Sequence, residues 1–142
     1  MQIDLPSTVE YQYLAEFRRQ IRQFHFFSES AAREQGIEPQ QHQLMLAVAG
    51  LPDGVRPTIR ELSSRLFIHH NSAVELVNRL ELAGLVERIP EQEDRREVLI
   101  RLTPRGDQAL HHLAVAHRSE LERSGPELAR ALNAVLERRA GN

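Results

Sequence analysis

The sequence predicts a mainly α chain with one small β-hairpin. Three observations predict it. Helix-start signatures occur at Ser7, Thr58 and Thr103-Pro104. Apolar residues recur at steps of three and four over most of the chain. The single clear alternation of apolar and polar side chains falls at Val98–Leu102, behind a second short strand candidate at Leu85–Ile89.

Taken in order, Ser7-Thr8-Val9-Glu10 reads as a capping box, in which Ser7 and Glu10 satisfy each other's free N–H groups. Leu14, Phe17, Ile21 and Phe24 then form one stripe of a long helix that Gly36 stops. Pro39 opens a second helix, carrying Leu44, Leu46, Ala47 and Val48 and ending at Gly50. Thr58-Ile59-Arg60-Glu61 is another capping box, opening a short helix with Leu62 and Leu66 inward. Phe67-Ile68-His69-His70 is a turn. Ala73, Leu76, Val77 and Leu80 form the inner face of the next helix, stopped by Gly84. The two strands follow, with a polar tip over Pro90 to Arg96. Thr103-Pro104 opens a helix with Leu110, Leu113, His117 and Leu121 on one stripe. Ser124-Gly125-Pro126 predicts a break, and a last helix carries Leu128, Leu132, Val135 and Leu136.

Composition bounds the function. At 142 residues the chain is one domain's worth, and 41% hydrophobic with 27% charged residues is ordinary globular material. No apolar run has the length of a membrane span, and Met-Gln-Ile-Asp-Leu-Pro lacks the basic and apolar regions of a signal peptide, so a cytoplasmic protein is expected. The absence of cysteine excludes disulfides, Cys-based zinc sites and thiol redox sensing. Net charge is −2, yet residues 56–106 hold 9 Arg against 8 acids, whereas residues 1–55 hold 4 Arg against 7. All 18 basic residues other than histidine are Arg, whose planar fork suits phosphates and base edges. No nucleophile elbow or glycine-rich phosphate loop occurs, so no enzyme and no cofactor are expected.

A short capped helix, a tight turn, a second amphipathic helix and a hairpin make the layout of a winged helix-turn-helix. The second helix of such a pair fits a major groove about 12 Å wide, and the first braces it across the backbone. The fold class expected is therefore mainly α with a small β-hairpin wing: a winged helix-turn-helix core flanked by N- and C-terminal dimerisation helices. Residues 1–142 form a single domain in this reading. The DNA-binding region spans 38–104, and the dimerisation helices span 7–36 and 104–139.

The run Ile59-Arg60-Glu61-Leu62, the segment Leu76-Val77-Asn78-Arg79-Leu80-Glu81 with Gly84-Leu85-Val86-Glu87-Arg88, the triplet Asp94-Arg95-Arg96 and the exit Leu102-Thr103-Pro104-Arg105-Gly106 together resemble the MarR family of transcriptional regulators. The resemblance implies a regulator that binds a pseudo-palindromic operator in double-stranded DNA as a homodimer, as a repressor responsive to a small-molecule effector. That effector would sit between the dimer helices and the reading head. The recognition helix would begin near His70 and present His70, Asn71, Ser72, Glu75, Asn78 and Arg79. Arg95 and Arg96 would contact DNA from the wing, with Arg96 in the minor groove, and Asp94 would hold the wing by pairing with an Arg. Glu75 departs from the family pattern, where a basic residue is common. Glutamate accepts from a cytosine amino group but repels phosphate.

Other readings attach to the same residues. A winged helix can serve protein–protein interaction instead. His69 and His70, or His42 with His111, His112 and His117, could make a metal-sensing regulator. However, adjacent helical residues diverge and the step from 112 to 117 is five, which spoils one-face chelation, so no metal site is expected. Phe17, Phe24, Phe26 and Phe27 could line a ligand pocket or simply pack.

Overall fold

The computed structural model describes residues 4–93 and 96–140. Over these the chain forms α1 (Thr8–Glu34), α2 (Pro39–Ala49), α3 (Ile59–Leu66), α4 (His70–Leu82), β1 (Val86–Pro90), β2 (Val98–Leu102) and α5 (Pro104–Ala140). It divides into two compact units, one of residues 32–114 and one of residues 1–31 with 115–142. The mainly α fold with a hairpin wing is as the sequence predicts.

Residues 32–114 hold the winged helix-turn-helix. Pro39 opens α2, and the Gln41 side chain accepts from the Glu38 N–H at 3.0 Å. At α3 the Thr58 hydroxyl accepts from the Glu61 N–H at 3.1 Å. Only that half of the expected capping box forms. The Glu61 carboxylate turns instead to Arg65, 2.9 Å away, and the Thr58 N–H donates to the Arg56 carbonyl. Phe67 then takes a left-handed conformation, φ 55° and ψ 42°, and closes α3 with its ring almost wholly in solvent. Leu44, Met45, Leu62, Leu76, Val77, Leu80, Val86, Ile100 and Leu113 are buried with 2% exposure or less. Met45 takes the inward position, and Leu46, expected inside, is half exposed.

The hairpin is antiparallel, with Val86 opposite Leu102 and Pro90 opposite Val98. It gains a partial third strand, because Thr58 bridges Leu99 and the Ile100 N–H donates to the Pro57 carbonyl at 2.9 Å. Leu85, expected in the first strand, lies just before it, and its carbonyl accepts from the Thr103 N–H at 3.1 Å. Thr103 then caps α5 and reaches back to the Gly84 carbonyl at 2.6 Å. A Cβ on Gly106 would stand 2.0 Å from the Leu85 carbonyl oxygen, which explains physically why the Thr-Pro-x-Gly exit ends on glycine.

The other unit consists of the helical residues up to 31 and from 115. Its start is the Ser7–Glu10 capping box, both arms formed. His117 hydrogen-bonds Ser28 at 2.8 Å, with the rings of Phe24 and Phe27 edge-on to the imidazole at 5.9 and 5.4 Å between centroids. Those two phenylalanines therefore pack on a histidine of their own unit. The predicted break at Ser124-Gly125-Pro126 is absent: α5 runs unbroken for 37 residues with Pro126 inside it. Proline removes one helical N–H and one bond. The rest of the ladder carries on, and the Ser124 hydroxyl donates to the Glu120 carbonyl at 2.9 Å within it.

Candidate nucleic-acid interface

Recognition by α4 depends on which side chains its packing leaves outside. Ala73, Leu76, Val77 and Leu80 are buried, so the opposite face is free. At about 100° per residue, Asn71, Glu75, Asn78 and Leu82 share a sector about 60° wide directly opposite that core. His70, Asn71, Ser72, Glu75, Asn78 and Arg79 are all exposed. The side chains of Asn71, Ser72 and Glu75 have no partner among the described residues.

Two of the predicted α4 residues are already engaged. Arg79 lies on a flank of α4 and pairs with Glu38 at the start of α2, 3.2 Å away. Asn78 accepts through Oδ1 from the guanidinium of Arg88 on β1 at 2.6 Å, and Arg88 also pairs with Glu81 at 2.8 Å. The helix and the first strand of the wing are thus joined by one arginine.

His70 and Arg96 come together. They line one open cleft of about 270 Å³ with Thr58, Ile59, Arg60, Glu97 and Val98. This cleft lies where the first turn of α3, the first turn of α4 and the wing converge. Arg96 is exposed at the hairpin tip. Asp94 and Arg95 lie outside the described residues.

The wing is held by a residue the sequence reading missed. The Arg56 guanidinium bonds the Glu91 carboxylate, just past β1, and Nη2 sits 2.8 Å from Glu97, just before β2. The Glu91 N–H also donates to the Glu97 carbonyl at 3.1 Å, closing the neck of the hairpin. Glu91 is buried, and its second oxygen accepts from the Glu93 N–H. Arg101 and Glu87, opposite each other in register, add a cross-strand pair at 2.6 Å. Arg60, in the cleft beside His70, was also missed. Arg56 carried no sequence signal, since its partners are about 35 and 40 residues away. Arg60 did carry one, standing in the first turn of a capped helix. Among the described residues, no group of three or more His, Asp or Glu is placed to hold a metal ion.

These features define a winged helix-turn-helix protein: an exposed helix face of hydrogen-bonding side chains, an arginine-tipped hairpin and a cleft joining the two. Residues 35–97 match the model of the MarR family. A protein of Thauera aromatica described as a transcriptional regulatory protein for the hcr operon is 30% identical over 99 residues, 70% of this chain and 58% of that relative's length. In structure, the chain is similar to AbsC, a MarR family transcriptional regulator from Streptomyces coelicolor. That likeness has a TM-score of 0.74 at 19% identity and covers 99% of this chain and 100% of AbsC. It is similar as well to the M. tuberculosis transcriptional regulator MOSR in complex with DNA, with a TM-score of 0.60 at 22% identity over 87% and 92% of the two chains. The winged helix-turn-helix region of the chain is thus similar to that of MarR family regulators.

Proposed function

We propose that this protein is a sequence-specific transcriptional regulator that binds a pseudo-palindromic operator as a homodimer. α4 enters the major groove, where His70, Asn71, Ser72, Glu75 and Asn78 face the bases, and Arg79 stands at the flank. Arg96, with Arg95, reaches the neighbouring minor groove or phosphates from the wing, and Asp94 helps to hold it. Residues 7–36 and 104–139 dimerise, which spaces two recognition helices about 34–36 Å apart, one turn of DNA. The protein acts in the cytoplasm as a repressor, and a small-molecule effector shifts it between states that bind DNA unequally. No helix among the described residues is long and apolar enough to cross a membrane.

The observation that carries this reading is the cleft lined by both His70 and Arg96. It supports a single DNA-facing surface made by helix and wing together. The test is Arg96→Ala. Losing one charged groove contact should cost about 1–3 kcal/mol of binding. An exposed substitution should change stability by only about 0.5 kcal/mol. The dependence of affinity on salt should also become shallower, because fewer counterions are released. Titrations of the operator at several salt concentrations, with thermal melts, measure all three. Unchanged affinity with an unchanged melt would remove the wing from recognition. Weak, salt-insensitive binding to every duplex would favour a protein-interaction module.

A further inference from the structure

An asparagine at a recognition-helix position ordinarily reads adenine, because its amide donates to N7 and accepts from the N6 amino group at once. That requires both amide atoms to face the base. In this protein Asn78 Oδ1 is committed elsewhere, to the Arg88 guanidinium at 2.6 Å. The assignment of oxygen and nitrogen is fixed by chemistry, since a guanidinium has donors only and the atom facing it must be the acceptor. Arg88 is itself fixed from its other side by Glu81 at 2.8 Å, and it is three-quarters buried. The amide nitrogen of Asn78 has no partner among the described residues. One turn earlier on the same outward sector stands Glu75, an acceptor only.

We infer that Arg88 is a positioning residue for sequence readout: it locks Asn78 so that only its NH2 group is available to the groove. Asn78 then selects a keto base, guanine or thymine, whose major-groove edges offer O6 and N7 or O4 as acceptors with no amino group. Its ordinary preference for adenine is suppressed. Donors for the next contact come from the base facing Glu75, a cytosine or adenine amino group. The inference rests on the DNA-binding reading above and adds to it the base class at one position of each half-site.

The experiment selects bound duplexes from a randomised pool with the full chain, then repeats the selection with Arg88→Met and Asn78→Asp. Wild type should prefer a keto base over adenine by roughly tenfold at one position per half-site, the scale of one good base contact. Arg88→Met frees the amide, so that position should move to adenine while the others stay fixed. Asn78→Asp keeps the pairing with Arg88 and removes the donor. The keto preference should vanish, and the melt should match wild type. This second variant decides the matter if Arg88→Met melts early. A wild type that selects no sequence would overturn the regulator reading itself. A wild type that selects adenine at this position, or variants that keep the wild-type base with wild-type discrimination, would overturn the lock and leave the regulator reading standing.

Discussion

The two compact units differ in what they bury and in how most of their charges pair. Residues 32–114 bury large apolar side chains and join separate segments by charge: Arg56 to Glu91 and Glu97, Arg79 to Glu38, Arg88 to Glu81, Arg101 to Glu87. In the other unit the buried residues among those described are Gln20, Ser28, Glu120 and Ala131, all polar or small. Several of its large apolar residues face out, among them Tyr11, Leu14, Phe26, Leu121, Leu132 and Leu136. Three of its ion pairs, Glu16–Arg19, Glu120–Arg123 and Glu127–Arg130, each join neighbours one turn apart on a single helix. The reading unit carries the information for its own tertiary structure. The helical unit joins its two segments through His117, Ser28, Phe24 and Phe27 and leaves much apolar surface for something else to cover, which is why we assign that surface to a second copy of the chain.

The largest expected effect tests this assignment. Leu132→Glu with Leu136→Glu places charges at two exposed positions of α5 that lie outside residues 32–114. Light scattering at low micromolar concentration should give twice the 16.3 kDa chain mass for wild type and a single chain mass for the variant. Operator affinity should fall by about 100-fold or more with the loss of the second half-site. A variant that remains dimeric would break the contrast. The matching change in the reading unit is Leu62→Ala at a position with no exposure. It should cost about 2–5 kcal/mol of stability, measured by urea unfolding, and leave the dimer mass unchanged.

A smaller effect separates the wing from the core. Arg56→Ala leaves Glu91 and Glu97 facing each other at the neck of the hairpin. It should weaken operator binding by roughly tenfold while the core melt shifts little, because the pair it breaks is only partly buried. Adding Arg96→Ala to it should cost less than Arg96→Ala alone, since a misplaced wing no longer delivers Arg96. Full additivity in this cycle would show that the clamp does not position the tip.

The smallest effect concerns the local pairs. Hydrogen bonds from Arg19 and then Gln20 hold the exposed Glu16 carboxyl down at about 2 from the ordinary 4.5. A depressed carboxylate contributes its stability above the ordinary value, and loses it as pH falls through about 2. Carbon-detected titration should find Glu16 still ionised at pH 3. Arg19→Ala should return it toward 4.5, with the melt at pH 7 nearly unmoved, as expected for a solvent-screened pair.

What could be read beforehand divides along the same line. The caps at Ser7 and Thr58, the inner face of α4 and the alternation in β2 were legible because each is a pattern within one element. Pro126 was misread for a related reason. A breaker rule that considers three residues cannot weigh the rest of a 37-residue helix. Arg56 and Arg88 were invisible as positioning residues, because their meaning lies in partners that only the folded chain brings near. Asn78 was named as a base reader, but the orientation of its amide depends on a strand that begins eight residues later.

Phe67 has a practical consequence. Its backbone is left-handed, where a side chain costs about 1–2 kcal/mol relative to glycine, and its ring is 95% exposed. The fold already tolerates a bulky group there, three residues ahead of α4. Since the chain contains no cysteine, one thiol introduced at position 67 would be its sole labelling site. A fluorophore there would report on occupancy of the reading helix from beside it, in a protein needing no other thiol removed.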